Sequence, residues 1–359
     1  MYSLADAVLV LCFVLAGYMA WTAFLGGRWQ RGQMTISAER SAIALFVLSS
    51  LLMAILLYAF IARDFSVEYV ASYSSRTLPT FYTISALWAG QAGSLLFWAW
   101  LLCMFTAIII WQNRHKNREL IPYVIGTMSV SILLFFGLMI YATSPFKLLP
   151  NPPVDGNGLN PMLQNVGMVM HPPTLYLGYV GFAVPFAFAI AALLSNRLDS
   201  QWIRTTRRWT LTAWLFLTLG NLFGAKWAYV ELGWGGYWAW DPVENASFLP
   251  WLTGTAFLHS VMIQEKRGML KIWNLVLIVI TFALTIFGTF ITRSGIISSV
   301  HSFGVSNLGP IFLLFLGIIL TASFYLLWLR SSQLKSENKL DAVLSREASF
   351  LFNNLSLVG

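Results

Sequence analysis

Long apolar runs parted by short polar connections set the character of this chain from end to end. Nine of them, at residues 4–25, 41–62, 93–111, 121–142, 175–194, 209–224, 249–264, 273–292 and 309–329, approach the ~20 residues that a helix needs to cross a bilayer. The stretch 81–92 reads as an interfacial or re-entrant lead into the third run, and 350–359 as the start of a tenth, after the mixed-charge connection 330–347. The expected fold class is an all-α, polytopic membrane helix bundle of about nine transmembrane helices, a single domain over 1–359. The first run carries Asp6, has no basic residue ahead of it and has Arg28 and Arg31 behind it. That is unlike a cleaved signal peptide, and it is expected to remain as a span.

Composition supports the pattern. The chain is 58% hydrophobic and 10% charged, with a mean hydropathy of +0.69, which excludes an ordinary soluble globule. The net charge of +8 would suggest nucleic acid, but its distribution follows alternating loops. One set of connections holds Arg28, Arg31, Arg40, Arg114, Lys116, Arg118, Arg197, Arg204, Arg207, Arg208, Lys266, Arg267, Lys271, Arg330, Lys335, Lys339 and Arg346. The other holds only Arg63, Arg76, Lys147, Lys226 and Arg293. The positive-inside rule then puts the first set in the cytoplasm and the amino terminus outside. The basic balance is topology: it points to membrane lipid and not to nucleic acid. Cys12 and Cys103 both lie in apolar runs and read as packing residues, and no C-x-x-C-H occurs that would carry a covalent haem of the chain's own.

The candidate chemistry lies between the spans. Trp234-Gly235-Gly236-Tyr237-Trp238-Ala239-Trp240-Asp241-Pro242-Val243-Glu244-Asn245 gathers indoles, a phenol, glycines and two carboxylates. It offers π-faces to a flat ligand and close backbone approach; a tryptophan belt at the membrane interface is the plain alternative. His115, among Arg114, Lys116 and Arg118, is a solvated loop residue. His171 and His301 fall in two other outer loops. Two neutral imidazoles can ligate a haem iron from opposite faces, or they can cap helices and meet water. His171 precedes Pro172-Pro173, so the following helix is expected to begin at proline, with the imidazole at the outer lip of the fifth span. His259 stands ten residues into the run from residue 249, ~15 Å down a helix and close to the midplane. An ionisable group there marks either a functional site or a histidine hydrogen-bonded between helices. A transmembrane b-type haem would need a second axial ligand, and the chain has no other histidine at that depth. Arg293 could hold a haem propionate or snorkel at its helix end. Asp241-Pro242 reads as a helix N-cap followed by proline in the first turn. No triad, phosphate loop or carboxylate pair is present, so no catalytic residue is assigned.

The order W-G-G-x-W-x-W-D-P-V-E resembles the tryptophan-rich WWD signature of haem-handling proteins of cytochrome c biogenesis. The stretches 64–71 and 88–96, His171-Pro172-Pro173 through Val180, and Thr292-Arg293-Ser294-Gly295 through His301-Ser302-Phe303 are similar, in order, to the haem lyase subunit family CcmF. The resemblance covers essentially the whole chain. It implies His171 and His301 as outer axial ligands, and residues 234–245 as a haem platform inside an outer loop at 226–248. That platform includes Trp234, Gly235, Gly236, Tyr237, Trp238, Trp240 and Asp241. It also implies His259 as one ligand of a transmembrane b haem. The implied activity is covalent attachment of haem to C-x-x-C-H apocytochrome c on the outer face of a bacterial inner membrane, or an organellar equivalent. Haem b would be the bound group, the chaperone CcmE would deliver it, and CcmH would present the apocytochrome. Alternatives are a lyase dedicated to one cytochrome, of the nitrite reductase type, a WWD haem exporter, and a b-type electron carrier; the span count and His259 favour lyase over exporter. Family members are roughly twice as long, so the chain is expected to be an amino-terminal portion, with the second b-haem histidine in the missing carboxy-terminal half. Members also often carry an acidic residue where this chain has Ala92.

Overall fold

A computed structural model describes residues 1–233, 235–297, 299, 303, 307–335 and 346–358, with backbone alone at 346 and 347. Among these residues the regular structure is helical. The helices are α1 Tyr2–Arg28, α2 Gly32–Ile61, α3 Glu68–Tyr73, α4 Thr80–Ser85, α5 Gln91–Gln112, α6 Ile121–Tyr141, α7 Val166–Gly181, α8 Ala183–Ser195, α9 Gln201–Glu231, α10 Pro242–Arg267, α11 Lys271–Ser294, α12 Gly309–Arg330 and α13 Arg346–Val358. Among the described residues eight helices are long and apolar enough to cross a membrane. The chain is an all-α, multi-pass membrane protein, as its pattern predicts.

The differences are local. The fifth span is not a helix from residue 175: α7 and α8 together make one 30-residue apolar stretch, Val166–Ser195. The sixth predicted span lies inside α9, a 31-residue helix whose Arg204, Arg207 and Arg208, with its Trp and Thr residues, set it apart from the eight apolar helices. The segment 81–92 folds as α4, a 3-10 turn at Ala86–Trp88 and the start of α5.

The contacts divide the chain into two compact units: Met1–Lys116, Ile125–Pro173 and Leu222–Ala239 form one, and Asn117–Val124, Thr174–Asn221 and Trp240–Gly359 form the other.

In the first unit α1 and α2 form a hairpin, closed where Gly26 lies against Thr35. Gly126 and Gly137 of α6 accept the rings of Phe24 and Phe13 from α1. Trp98 stacks on Phe135 at 5.1 Å, and the Trp100 indole N–H donates to Ser50 Oγ at 2.9 Å. Between helices in lipid there is little hydrophobic drive, so small-residue contacts and satisfied polar groups do the packing. The connection from α2 to α5 is anchored at Asp64, which accepts from the hydroxyls of Tyr2 at 2.8 Å and Ser66 at 2.6 Å. Burial pushes the Asp64 carboxyl up, but the hydrogen bonds from Ser66 and Tyr2 outweigh it and hold the group below its ordinary value.

In the second unit α7 meets α9 through glycines: Gly178 and Gly181 lie against Leu217 and Ala213, and Gly220 against Leu175. α10 and α11 are joined by Thr281 to Thr253 at 2.9 Å and by Asn274 to Gln264 at 2.7 Å. Pro250 lies inside α10 and has no N–H for the carbonyl four residues back. The Tyr179 hydroxyl donates to that carbonyl, Ala246 O, at 2.8 Å instead, so the helix continues through the proline.

Candidate functional site

His171 is placed by the α7 helix itself, not at its beginning. α7 starts at Val166 and has Pro172 and Pro173 inside it, which corrects the expected start at proline. The cause is Asn165, whose side-chain oxygen accepts the Gly167 amide at 2.7 Å and caps the helix a turn and a half before the histidine. The same side chain donates to Glu231 Oε1 at 2.6 Å, tying the start of α7 to the end of α9. The half-buried imidazole then lies 6.1 Å, centroid to centroid, from the Trp227 ring, whose N–H donates to Met162 O at 3.1 Å. Gly224, one turn before Trp227 on α9, gives the imidazole its room: a Cβ there would lie 2.7 Å from Cε1 and 2.8 Å from Nδ1 of His171.

The aromatic segment is set down in two parts. In the first unit Tyr237 stacks on Tyr229 at 4.4 Å with the rings nearly parallel, Gly235 uses a left-handed φ of +72°, and Trp238 is half-buried. In the second unit Trp240 also has a left-handed φ, +60°, which for a bulky residue is strained backbone. It is 69% exposed, and its carbonyl accepts from Asn245 Nδ2 at 3.2 Å. Strain, exposure and a large π-face together suit a ligand platform better than packing. Trp234 and His301 lie outside the described residues.

Asp241 does what its sequence context predicts. It caps α10, accepting the Val243 amide at 2.9 Å, while Glu244 returns the contact to the Asp241 amide in a capping box. Its other oxygen accepts from Ser299 Oγ at 2.6 Å, tying the segment after α11 to the start of α10. Arg293 does not snorkel: it is 1% exposed. Its guanidinium sits 4.6 Å over the Phe303 ring and donates to the Tyr176 hydroxyl at 3.4 Å, and the Phe303 amide donates to Thr292 O at 3.0 Å. A fixed, buried positive charge therefore stands beside the segment that carries His301 in sequence.

His259 is half-buried on α10. Its Nδ1 lies 2.9 Å from Thr255 O; an Nδ1–H can donate to that carbonyl, and in the neutral ring this tautomer leaves the lone pair on Nε2. The ring is 6.2 Å from Phe350 of α13. Because α10 begins at Pro242, seven residues before the apolar run, His259 stands ~26 Å from the Asp241 cap and only ~12 Å from the Arg267 end, at 1.5 Å per residue. Its helix thus extends well beyond the ~15 Å that the apolar run alone places before it.

Several of these partners are invisible in the linear pattern. Gly224 closes an apolar run and Trp227 follows it in the next connection, ordinary residues until α7 is laid beside them. Asn165, two residues before Gly167, is a readable cap signal that places the helix start correctly. Ala92, where an acidic residue was noted as usual, is buried. It lines a cavity of about 550 Å³ with Tyr69, Tyr73, Gln91 and Lys147.

The description "Cytochrome C assembly protein" matches residues 88–297. The cytochrome c-type biogenesis protein CcmF of Haemophilus influenzae is 43% identical over 359 residues, 99% of this chain and 54% of its own length. CcmF of Escherichia coli is 43% identical over 353 residues, 97% of this chain and 53% of its own. The cytochrome c-type biogenesis protein NrfE of Haemophilus influenzae is 40% identical over 333 residues, 92% of this chain and 52% of its own. A solved structure, "Cytochrome c Heme Lyase CcmF", is similar with a TM-score of 0.82 and 32% identity, covering 100% of this chain and 54% of that one. The chain spans about half the length of the relatives it matches. With more than half of its residues, His171, the aromatic segment, His259 and Arg293 among them, inside the matched region, the chain belongs to the Cytochrome C assembly protein family.

Proposed function

We propose that this chain is the haem-holding part of a cytochrome c haem lyase of a bacterial inner membrane, with its site on the periplasmic side. It would act in a complex with other maturation components. The observation that carries the reading is the His171 seat: an imidazole held between Trp227 and a glycine that leaves it room, in a chain 43% identical to CcmF. The residues fit haem in kind. His171 and His301 supply neutral nitrogen ligands for the iron. Trp234, Tyr237, Trp238 and Trp240 supply π-faces and Gly235 and Gly236 supply close backbone, while Arg293 supplies a fixed charge for a propionate. Asp241 shapes the platform through its cap and its bond to Ser299.

Haem b is the proposed group, and here it is the substrate. Its vinyl groups take up the two thiols of a C-x-x-C-H apocytochrome, each S–H adding across a C=C bond to leave a thioether and a new C–H, with no net oxidation. The chain's part is to bind, orient and shield. Its own thiols take no part, since Cys12 and Cys103 are buried. CcmE would deliver the haem and CcmH would present the apocytochrome. His259, with Nε2 as donor, would be one axial ligand of a second, transmembrane b haem, and its other ligand is expected from the remainder of the family's length. A lyase dedicated to one cytochrome is the second reading, compatible with the similarity to NrfE.

The test is a maturation assay in the assembled system, reading covalent haem on a reporter cytochrome. His171→Ala and His301→Ala should abolish it while the spectrum owed to His259 stays intact. Normal maturation in the double variant would overturn the lyase reading.

A further inference from the structure

α9 and α10 are clamped by a reciprocal pair of bonds. Trp214 of α9 donates its indole N–H to Thr255 Oγ1 of α10 at 2.8 Å, and Trp251 of α10 donates to Thr218 Oγ1 of α9 at 2.8 Å. The two indoles stack at 6.0 Å, and Phe248 extends the stack, 5.4 Å from Trp251. Phe248, Trp251, Thr255 and His259 recur at three- and four-residue intervals, so they share one face of α10. Thr255 is the joint of this arrangement. Its hydroxyl accepts from Trp214 and donates to Trp251 O at 2.7 Å, and its carbonyl meets His259 Nδ1 at 2.9 Å.

A threonine hydroxyl bonded back to the preceding turn bends a helix slightly. Carbonyls on the bent side tilt outward, where a side chain can reach them. The Thr255 carbonyl, one turn before His259 in α10, is reached by the imidazole Nδ1 at 2.9 Å. With the Thr255 hydroxyl committed to Trp214 and to Trp251 O, the clamp holds that carbonyl beside Nδ1.

We propose that Trp214 and Thr255 are positioning residues for His259, fixing the tautomer that presents Nε2 as an electron-pair donor to haem iron. The proposal rests on the reading of His259 as an axial ligand. Neither residue belongs to the aromatic platform or to the matched histidines, and neither touches the iron. Their role is exerted through the Thr255 backbone, in the way that outer hydrogen bonds orient metal-bound histidines generally.

Two measurements on the chain in detergent micelles test it. The first is a titration with ferric haem in the presence of imidazole, which fills the sixth position and removes the need for a second protein ligand. Trp214→Phe and Thr255→Val should each weaken low-spin haem binding about two- to tenfold, the range of one hydrogen bond. Thr255→Ser, which keeps the hydroxyl, should bind as the unaltered chain does. The double variant should be no weaker than Thr255→Val alone, because Thr255→Val already removes the bond that Trp214→Phe removes. The second measurement needs no haem: nitrogen-15 resonances of His259 should report Nδ1–H in the unaltered chain and in Thr255→Ser, and a mixture of tautomers in Thr255→Val. Additive losses, an unchanged tautomer in Thr255→Val, or failure of Thr255→Ser to restore binding would overturn the proposal. Low-spin binding that survives His259→Ala would instead overturn the ligand reading, and the haem-free tautomer measurement would still decide the positioning role.

Discussion

Gly224→Ala separates the fold from the site. A Cβ at 224 would stand 2.7 Å from Cε1, 2.8 Å from Nδ1 and 3.5 Å from Cγ of His171, where nonbonded carbons settle at ~3.5–4.0 Å. The group that yields is the imidazole, the far end of a side chain, which must withdraw by nearly ~1 Å to reach that distance. Turning it off its rotamer costs ~0.5–1.5 kcal/mol, and alanine in a helix interior returns ~1 kcal/mol over glycine. The two nearly cancel, so the melting temperature should hardly move. Haem binding has no such compensation. Restoring the ring to its seat against the new methyl is an overpacking cost of ~1–3 kcal/mol, which lowers affinity about 5- to 150-fold. Gly317→Ala, inside α12, is the control, since nothing lies within 4 Å of a Cβ there. The assay is a haem titration of both variants beside the unaltered chain, with thermal melts on the same samples. Binding in Gly224→Ala equal to that in Gly317→Ala would mean that the His171 seat does not serve haem.

Three further outcomes are expected. Asp241→Ala removes the α10 cap at a cost of ~1 kcal/mol and should speed hydrogen exchange at the Val243 and Asn245 amides several-fold, leaving amides near His259 unchanged. Asp64 sits below its ordinary value in the folded chain, since hydrogen bonds from Ser66 and Tyr2 outweigh its burial. Its stabilisation is therefore complete above the unfolded carboxyl value of ~3.9 and is lost as pH falls through the lower folded value. Asp64→Asn should flatten that acid limb in melts taken at about pH 5 downward. Single cysteines at Asn165, Ala239 and Ser299 should all react with an impermeant reagent from the periplasmic side, and labelling of any one from the cytoplasm alone would dismantle a composite outer site.

What the sequence could show followed from physics that acts along one chain. Asp241, Pro242 and Glu244 encode their capping box within four positions, so the start of α10 is readable at Asp241 itself. Apolar length gives most spans for the same reason. α7 escapes because Pro172-Pro173 reads as a stronger start signal than Asn165, yet the bond from Asn165 to Glu231 of α9 holds the earlier start. α9 blurs because it carries arginines and threonines, and the polar groups of its Trp and Thr side chains are satisfied here by partners across helices, as Trp214 is by Thr255 and Thr218 by Trp251. The chemistry divides in the same way. His171, His259 and Arg293 stand out as residue types, whereas Gly224, Trp227 and Thr255 matter only through what folding lays beside them.

The length of α10 carries a consequence for the proposed chemistry. A helix that runs unbroken from Asp241 past Pro250, with Tyr179 supplying the bond that proline cannot, fixes His259 at ~26 Å from the platform end. No single iron can be shared between His259 and the platform across that distance, so a chain that uses both must hold two haems, or one at two successive places. Two haems predict that His259→Ala leaves the outer site loaded and that losses at the two sites add. One moving haem predicts that His259→Ala empties the outer site as well. Haem stoichiometry per chain, read with His259→Ala and His171→Ala singly and together, distinguishes the two.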